Sequence, residues 1–329
     1  MKFGILAAGN IANSMAKAVT GIEKAGTADI KKYAVASRDL SRAQEFAGKW
    51  DFEKAYGSYE ELVNDPEVEL IYVASPHSHH YEHAKLCLEH GKHVLLEKAF
   101  TVNAAQAEEL MKLAEEKKVL LTEAIWTRYM PSRKMMNDLI EGGAIGNVSS
   151  MTANLGYPLM HVPRLVRPEL AGGALLDLGV YSITMALMLF HEEITDVVST
   201  AVFSPEGVDW MNSMTLTFAD GKMAVLNSNM TARTDCKAIV NGDKGYMEIR
   251  EINNPKEILI YDQDGNFKER YPVPEQINGY EYEVLACIRA IEAGEPECEE
   301  MPHSETLRVM RLMDKIRGQW GYELPCEGV

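Results

Sequence analysis

Six short apolar runs in the first third of the chain, each followed by a stretch with helical spacing, constrain its fold more than any other feature. They read "KFGILAA", "KKYAVAS", "KAYG", "VELIYVAS", "KHVLLEK" and "VLLTEAI", and segments such as "NIANSMAKAVTGI", "DLSRAQEFAGKW" and "NAAQAEELMKLAEEKK" separate them. Strands that are apolar almost throughout are covered on both faces, so the pattern predicts a parallel sheet flanked by helices, an α/β domain over residues 1–122. From about residue 147 the rhythm changes. After an apolar helix at 172–190 come long alternating stretches, with the turn pairs Asp220-Gly221, Gly242-Asp243 and Asp264-Gly265 between them. Hairpins of this kind predict an open antiparallel sheet. Two closing helices, "EYEVLACIRAIEAG" and "SETLRVMRLMDKIRGQW", complete an α+β domain over 123–329.

The charge balance narrows the partners. A net charge of -16 with no basic stretch excludes phosphate-backbone binding as a natural role, so neither nucleic acid nor an anionic membrane is expected. The expected partner is a small polar substrate. Five scattered cysteines without a CxxC pair fit neither a disulfide framework nor a zinc site, and suit a reducing cytoplasm. The apolar start "MKFGILAA" stops at Asn10 and reads as a strand, not a signal peptide. The helix at 174–190 is expected to be too short and too interrupted to span a bilayer.

Where the first strand meets the first helix the chain reads "GILAAGNIA". The dinucleotide-binding pattern G-x-G-x-x-G/A falls here on Ala7, Gly9 and Ala12, so its first glycine is absent. Gly9 still permits close approach of a pyrophosphate, and Ala8, Gly9, Asn10 and Ile11 form the expected phosphate turn at a helix N-terminus. At the end of the second strand, where an NAD-specific chain carries an acid for the ribose, this one has Ser37 and Arg38, with Arg42 a helical turn further on. A hydroxyl and guanidinium groups suit a 2'-phosphate, which favours NADP and leaves NAD possible. The alternative is that Arg38 and Arg42 are merely a solvated helix start.

Within "GGALLDLGVYSITMALMLF" an acid, Asp177, stands in an apolar helix with Tyr181 one turn further on the same face. A buried acid needs a partner. Asp177 as a helix-dipole partner and Tyr181 as a ring buried for packing are the plainer alternatives. "HSHHYEH" invites a metal reading, but no cysteine or acid completes a ligand set, and no metal is expected.

"EKA" at 97–99, "TEAIWTRYMP", "HVPR", "GGALLDLGVYS", "ASRDLSRAQEFA" and "AYGSYEELVNDP" together resemble the Gfo/Idh/MocA oxidoreductases, in particular the branch of dimeric dihydrodiol dehydrogenases and NADP-dependent xylose dehydrogenases. The resemblance implies a Rossmann-like dinucleotide-binding domain, then a substrate-binding domain whose open sheet makes a homodimer. It implies that a nicotinamide cofactor lies at their interface. It also implies that Lys98, Asp177 and Tyr181 form the catalytic set, with Tyr181 as proton donor. Glu97 would lie by the nicotinamide ribose and Trp126 and Arg128 near the nicotinamide end, while Ser75, Pro76, His77 and His80 would line the cofactor loop. One departure is Ala99, where the family carries proline after the lysine. Proline restrains the residue before it, so Lys98 is expected to be held differently.

A lysine ammonium next to a tyrosine favours its phenolate and brings it toward the working range of an acid–base group. On this reading Lys98 compensates Asp177 and stabilises charge at a carbonyl oxygen that Tyr181 protonates, and Tyr157, His161 and Arg164 bond the substrate's other oxygens. The expected activity is hydride transfer between nicotinamide and a sugar, vicinal diol or small dicarbonyl. An inositol or amino-sugar dehydrogenase, or an NADP-sensing regulator without turnover, are the alternatives.

Overall fold

A computed structural model describes residues 1–327, which form two compact units: 1–129 with 276–310, and 130–275 with 311–327. In the first unit the chain runs β1 (Lys2–Leu6), α1 (Asn10–Ala25), β2 (Lys31–Ala36), α2 (Leu40–Trp50), β3 (Lys54–Tyr56), α3 (Tyr59–Asn64), β4 (Leu70–Val73), α4 (His80–Glu89), β5 (His93–Glu97), α5 (Ala104–Lys117) and β6 (Leu121–Ala124). The six strands are all parallel, in the order β3-β2-β1-β4-β5-β6. Phe3, Ile5 and Leu6 of β1 are fully buried, as both-face coverage requires. Ala12, Met15, Ala16, Val19 and Ile22 give α1 one buried face, where the small residues let helix and sheet approach closely. Gly26, with φ of 63°, ends that helix and donates to Glu23. The strand order reverses between β1 and β4, which opens a crevice at their carboxyl ends.

The second unit begins with α6 (Pro131–Glu141) and β7 (Val148–Gly156), neither of which stands out in the sequence. Next come the apolar helix α7 (Val180–Leu189) and strands β8 (Ile194–Phe203), β9 (Asp209–Phe218), β10 (Met223–Asn229), β11 (Lys237–Gly242), β12 (Gly245–Arg250), β13 (Glu257–Asp262) and β14 (Phe267–Pro272). The sheet order is β14-β13-β12-β11-β7-β10-β9-β8. All neighbours are antiparallel except β7 and β10, so the expected antiparallel sheet is a mixed one. The cause is β7, which takes the central place between β10 and β11. The three Gly-containing turn pairs do close the β9–β10, β11–β12 and β13–β14 hairpins. Lys268, Glu269 and Arg270 make the β14 edge a charged one, which opposes edge-to-edge pairing.

The apolar helix expected from residue 172 starts later and differently. Leu175–Gly179 form a π-helical turn, and α7 follows it against β7 and β10. The stretch Pro168–Leu189 is long and apolar enough to cross a membrane, contrary to the expectation from length, but its most apolar window is wholly buried. α8 (Glu281–Ala293) belongs to the first unit, where it packs on α1 and β5. α9 (His303–Trp320) runs from the first unit into the second, where Gln319 bonds to Val197 of β8.

Candidate active site

In the first unit, Ala7 adopts φ of 77° at the position where the dinucleotide pattern has its first glycine. An L-residue in that region costs about 1 kcal/mol relative to glycine. The turn nevertheless keeps its form, with the Ala7 amide on Ala36 O at 3.1 Å and the Gly9 amide on Ala7 O at 2.9 Å. Gly9 is extended and lends α1 no side-chain cap, which leaves the first amides of the helix open to an anion. A Cβ built on Gly9 would meet only Ala74 O, at 3.9 Å. The protein's own packing therefore does not demand a glycine there, whereas a pyrophosphate lying against the backbone would. Ala8 and Ile11 are half-buried beside it and Asn10 is exposed.

Ser37 is buried at the end of β2, with its hydroxyl accepting from the Asp39 amide at 3.4 Å. Arg38 and Arg42 are exposed and form no ion pair among the described residues. Asp39, next to Arg38 in sequence, is turned onto the α2 N-terminus, where it accepts from the Ser41 amide and hydroxyl. Burial raises the Tyr59 phenol, and the charges of Arg38 and Arg42 pull against that rise. His83 lies edge-on to Tyr59, and desolvation, with nearby His79, His80 and Arg38, brings it down to about 4.

On the loop after β4 the Ser75 hydroxyl is buried without a hydrogen-bond partner among the described residues, Pro76 is half-buried and His77 buried. His80 is fully buried, with Nδ1 2.8 Å from Ala99 O and Nε2 2.8 Å from Ser75 O. Both oxygens are acceptors, so the ring makes both bonds only with a proton on each nitrogen. It ties the β4 loop to the Lys98–Ala99 peptide, which is cis. Glu97 is buried and accepts from the Tyr72 hydroxyl and, at 3.1 Å, from the Lys98 amide. Lys98 is half-buried. Tyr72 is a residue that sequence reasoning missed, because in sequence it is only one more apolar strand position.

Trp126 stacks on Tyr280 with ring centroids 4.3 Å apart, and its indole N–H is buried without a partner among the described residues. Arg128 is nine-tenths buried or more and committed to the protein itself, donating to Glu300 O and the Glu305 carboxylate, each at 3.0 Å. Glu123, beneath this turn, accepts from the Phe100 amide at 3.1 Å, and burial pushes its carboxyl up to about 7. Among the described residues no group of His, Cys, Asp and Glu is arranged to hold a metal. An open helix start, a glycine whose missing Cβ leaves room, orphaned Ser75 and Trp126 polar atoms and two unpaired guanidinium groups fit a dinucleotide.

In the second unit, Asp177 lies in the π turn and Tyr181 one turn later in α7, both buried. The Arg164 guanidinium donates to Asp177 at 3.0 Å and is itself 41% exposed. The two glycines before the helix explain how these residues meet. A Cβ on Gly172 would come within 2.4 Å of Leu165 O, so glycine lets the Arg164 segment pass against the helix start. Tyr157 donates to Asn253 at 3.3 Å, Arg233 lies over its ring at 5.2 Å, and burial raises its phenol to about 12. His161 is exposed.

The comparisons with known proteins cover both units. Residues 1–125 match the model of the GFO/IDH/MocA oxidoreductase family with an NAD-binding Rossmann fold, and residues 134–248 match the C-terminal domain of that family. The chain belongs to the GFO/IDH/MocA oxidoreductases. It is 34% identical to a trans-1,2-dihydrobenzene-1,2-diol dehydrogenase of Xenopus tropicalis over 98% of this chain and 99% of that one. It is 35% identical to an NADP-dependent D-xylose 1-dehydrogenase of Hypocrea jecorina over 99% and 93%. A 3-ketoreductase of Actinomadura kijaniata, KijD10, solved with NADP and TDP-benzene, superposes with a TM-score of 0.87 at 25% identity over 97% of each chain. Levoglucosan dehydrogenase with NADH shares the fold, with a TM-score of 0.86 at 18% identity, covering 98% of this chain and 97% of that one. This family member is thus an NAD(P)-dependent oxidoreductase with the mixed α/β architecture described above.

The Arg164–Asp177 pair yields a prediction. Arg164→Ala removes the cation from a buried carboxylate, and is expected to cost about 1 kcal/mol in urea unfolding, the exposed arginine limiting the loss. A stability equal to wild type would show that the pair contributes nothing.

Proposed function

We propose that the chain is an NADP-dependent dehydrogenase/reductase for a small oxygen-rich substrate, a sugar, a vicinal diol or a dicarbonyl. The observation that carries the reading is the ionisable set at the start of a buried helix: Tyr181 one turn from Asp177, whose carboxylate is held by Arg164 at 3.0 Å. Packing alone gives no reason for these groups. The relatives' activities on a diol and on D-xylose point to the same substrate chemistry.

The dinucleotide would be held by Ala8, Gly9, Asn10 and Ile11 at its pyrophosphate, by Ser37, Arg38 and Arg42 at a 2'-phosphate, and by Ser75, Pro76, His77, Glu97 and Trp126 along the loop, which His80 fixes from within through its bonds to Ser75 O and Ala99 O; bound there, it supplies or accepts the hydride. Arg128, bonded within its own unit, supports this wall from behind. In reduction Tyr181 gives its phenolic proton to the substrate oxygen, and in oxidation it takes the hydroxyl proton back. Lys98 is the catalytic ammonium of the first unit, a cation of the kind that stabilises charge developing on a substrate oxygen. Arg164 fixes Asp177, which accepts from a neighbouring substrate hydroxyl, and His161 and Tyr157 contribute to the rim.

The chain is proposed to work in the cytoplasm, with all five cysteines free, and as a homodimer through the second unit's sheet, without nucleic-acid or membrane partners. Val198, Val202, Met223 and Val225 are exposed on that sheet, and Val198, Thr215 and Val225 stand directly opposite one another across β8, β9 and β10. Sedimentation velocity is expected to give twice the chain mass, and Val198→Lys with Val225→Lys to give monomer. A monomeric wild type would end the dimer reading.

Nicotinamide absorbance with D-xylose, vicinal diols and α-dicarbonyls tests the activity. Turnover is expected with NADP(H), and Tyr181→Phe is expected to reduce kcat by about 100-fold or more. Arg38→Ala is expected to lower the NADPH-over-NADH ratio of kcat/KM about 10-fold, the size of one charge-assisted phosphate contact. An unchanged ratio would remove Arg38 from cofactor choice, and a fully active Tyr181→Phe would remove its role in proton transfer.

A further inference from the structure

The π turn that carries Asp177 begins inside the second unit's core. Every residue from Ala171 to Phe190 is buried, so water cannot satisfy the first amides of this helix, and an acceptor must come from the protein. That acceptor is Asp209, the first residue of β9 and only 2% exposed. Its Oδ2 accepts from the Leu175 amide at 2.8 Å and from Asn212 Nδ2 at 2.8 Å, and the Ala174 amide also bonds the carboxylate. Gly173, with φ of 120°, lets the carboxylate in, since a Cβ there would lie 2.1 Å from Asp209 Oδ1.

The bonds continue from Asn212 to the neighbouring strand. Asn212 Oδ1 accepts from Ser228 Oγ at 2.9 Å, and Ser228 Oγ lies 3.4 Å from Ala174 O. A Cβ built on Gly179, the last residue of the turn, would be 3.3 Å from the same Ser228 oxygen. Asp209, Asn212 and Ser228, from two neighbouring strands, therefore bond the start of Leu175–Gly179, and Ser228 also lies close against its last residue. A π turn holds one more residue per hydrogen-bonded ring than an α turn, and relaxing it would rotate Asp177 relative to Tyr181.

We propose that Asp209, with Asn212 and Ser228, is the positioning device of the reaction: the carboxylate holds the π turn in the form that sets Asp177 and Tyr181 against the substrate. The inference rests on the catalytic reading of Tyr181 given above. Asp209 touches no reacting atom and acts through the helix. Its anion also meets the positive end of the helix. Burial pushes the Asp209 carboxyl up to about 7 despite these bonds. Among the described residues the ionisable group that feels its charge is Tyr322, whose phenol is raised first by burial and then by the charge of Asp209, with Arg317 opposing that rise. Protonation removes one acceptor from the helix start, so the ionised form is the competent one, and kcat rises with pH through this range.

The test compares wild type, Asp209→Asn, Ser228→Ala and Tyr181→Phe with NADPH and an α-dicarbonyl, alongside hydrogen exchange of the 174–179 amides. Asp209→Asn is expected to lower kcat about 10- to 100-fold, the effect of misplacing reacting groups by about 1 Å. The Kd for NADPH should stay within about two-fold, because the dinucleotide is held by the other unit, and the rise of kcat near neutral pH should disappear. Exchange at Leu175 should quicken with the rest of the second unit still protected. Ser228→Ala, a milder change that covers the event that Asp209→Asn does not fold, should reduce kcat and speed the same amides. Wild-type kcat, pH profile and exchange in folded Asp209→Asn, or in Ser228→Ala if that is the only folded variant, would overturn the proposal while Tyr181→Phe is inactive. A fully active Tyr181→Phe would instead overturn the catalytic reading and this inference with it.

Discussion

A helix that starts inside a dry core must find acceptors for its first amides, and much of the second unit follows from how this one does so. Asp209 supplies the carboxylate, Gly173 supplies the space for it, and Gly172 lets the Arg164 segment lie against the same end. The result is a helix N-terminus loaded with charge: Asp209 beneath it, Asp177 within it and Arg164 over Asp177. Burying so many polar groups is unfavourable unless each finds partners, and the bonds from Leu175, Asn212 and Arg164 provide them.

The first unit treats its leading helix in the opposite way. α1 is preceded by Gly9 with no side-chain cap and has no acid in its first turn, and among the described residues no side chain does there what Asp209 does at the other helix. One N-terminus is closed by the protein's own anion, and the other is left for an anion from outside. The same contrast separates the arginines. Arg128 is buried and bonded to Glu305, whereas Arg38 and Arg42 stand exposed without ion pairs among the described residues. Groups already satisfied build the wall, and groups left unsatisfied are the ones a dinucleotide can use.

The parallel sheet was legible because its strands are apolar almost throughout, and the hairpins because Asp-Gly and Gly-Asp pairs punctuate alternating runs. β7 was not. "VSSMTANLG" is rich in Ser, Thr and Asn, and its central place between β10 and β11 comes from long-range pairing that no local pattern announces. That strand also makes the sheet mixed. Local sequence showed that Asp177 needed a partner but not that Arg164, 13 residues earlier, provides it. Asp209 lies 34 residues from Leu175 and reads as an ordinary strand start. The one available signal was the glycine pair before an apolar helix, which marks a close approach without saying of what. Ala7 shows the reverse: the degraded glycine motif keeps its turn, with φ of 77° on an alanine.

That Tyr181 and Asp177, one turn apart in the second unit, act together on the substrate is the claim on which the rest depends. A double-mutant cycle in kcat, with Asp177→Asn, Tyr181→Phe and the double variant, tests it most directly. Residues that work as a unit are strongly non-additive, so the double variant is predicted to lose little more than the worse single one. Losses that multiply would mean that the two side chains act independently, and would contradict the account.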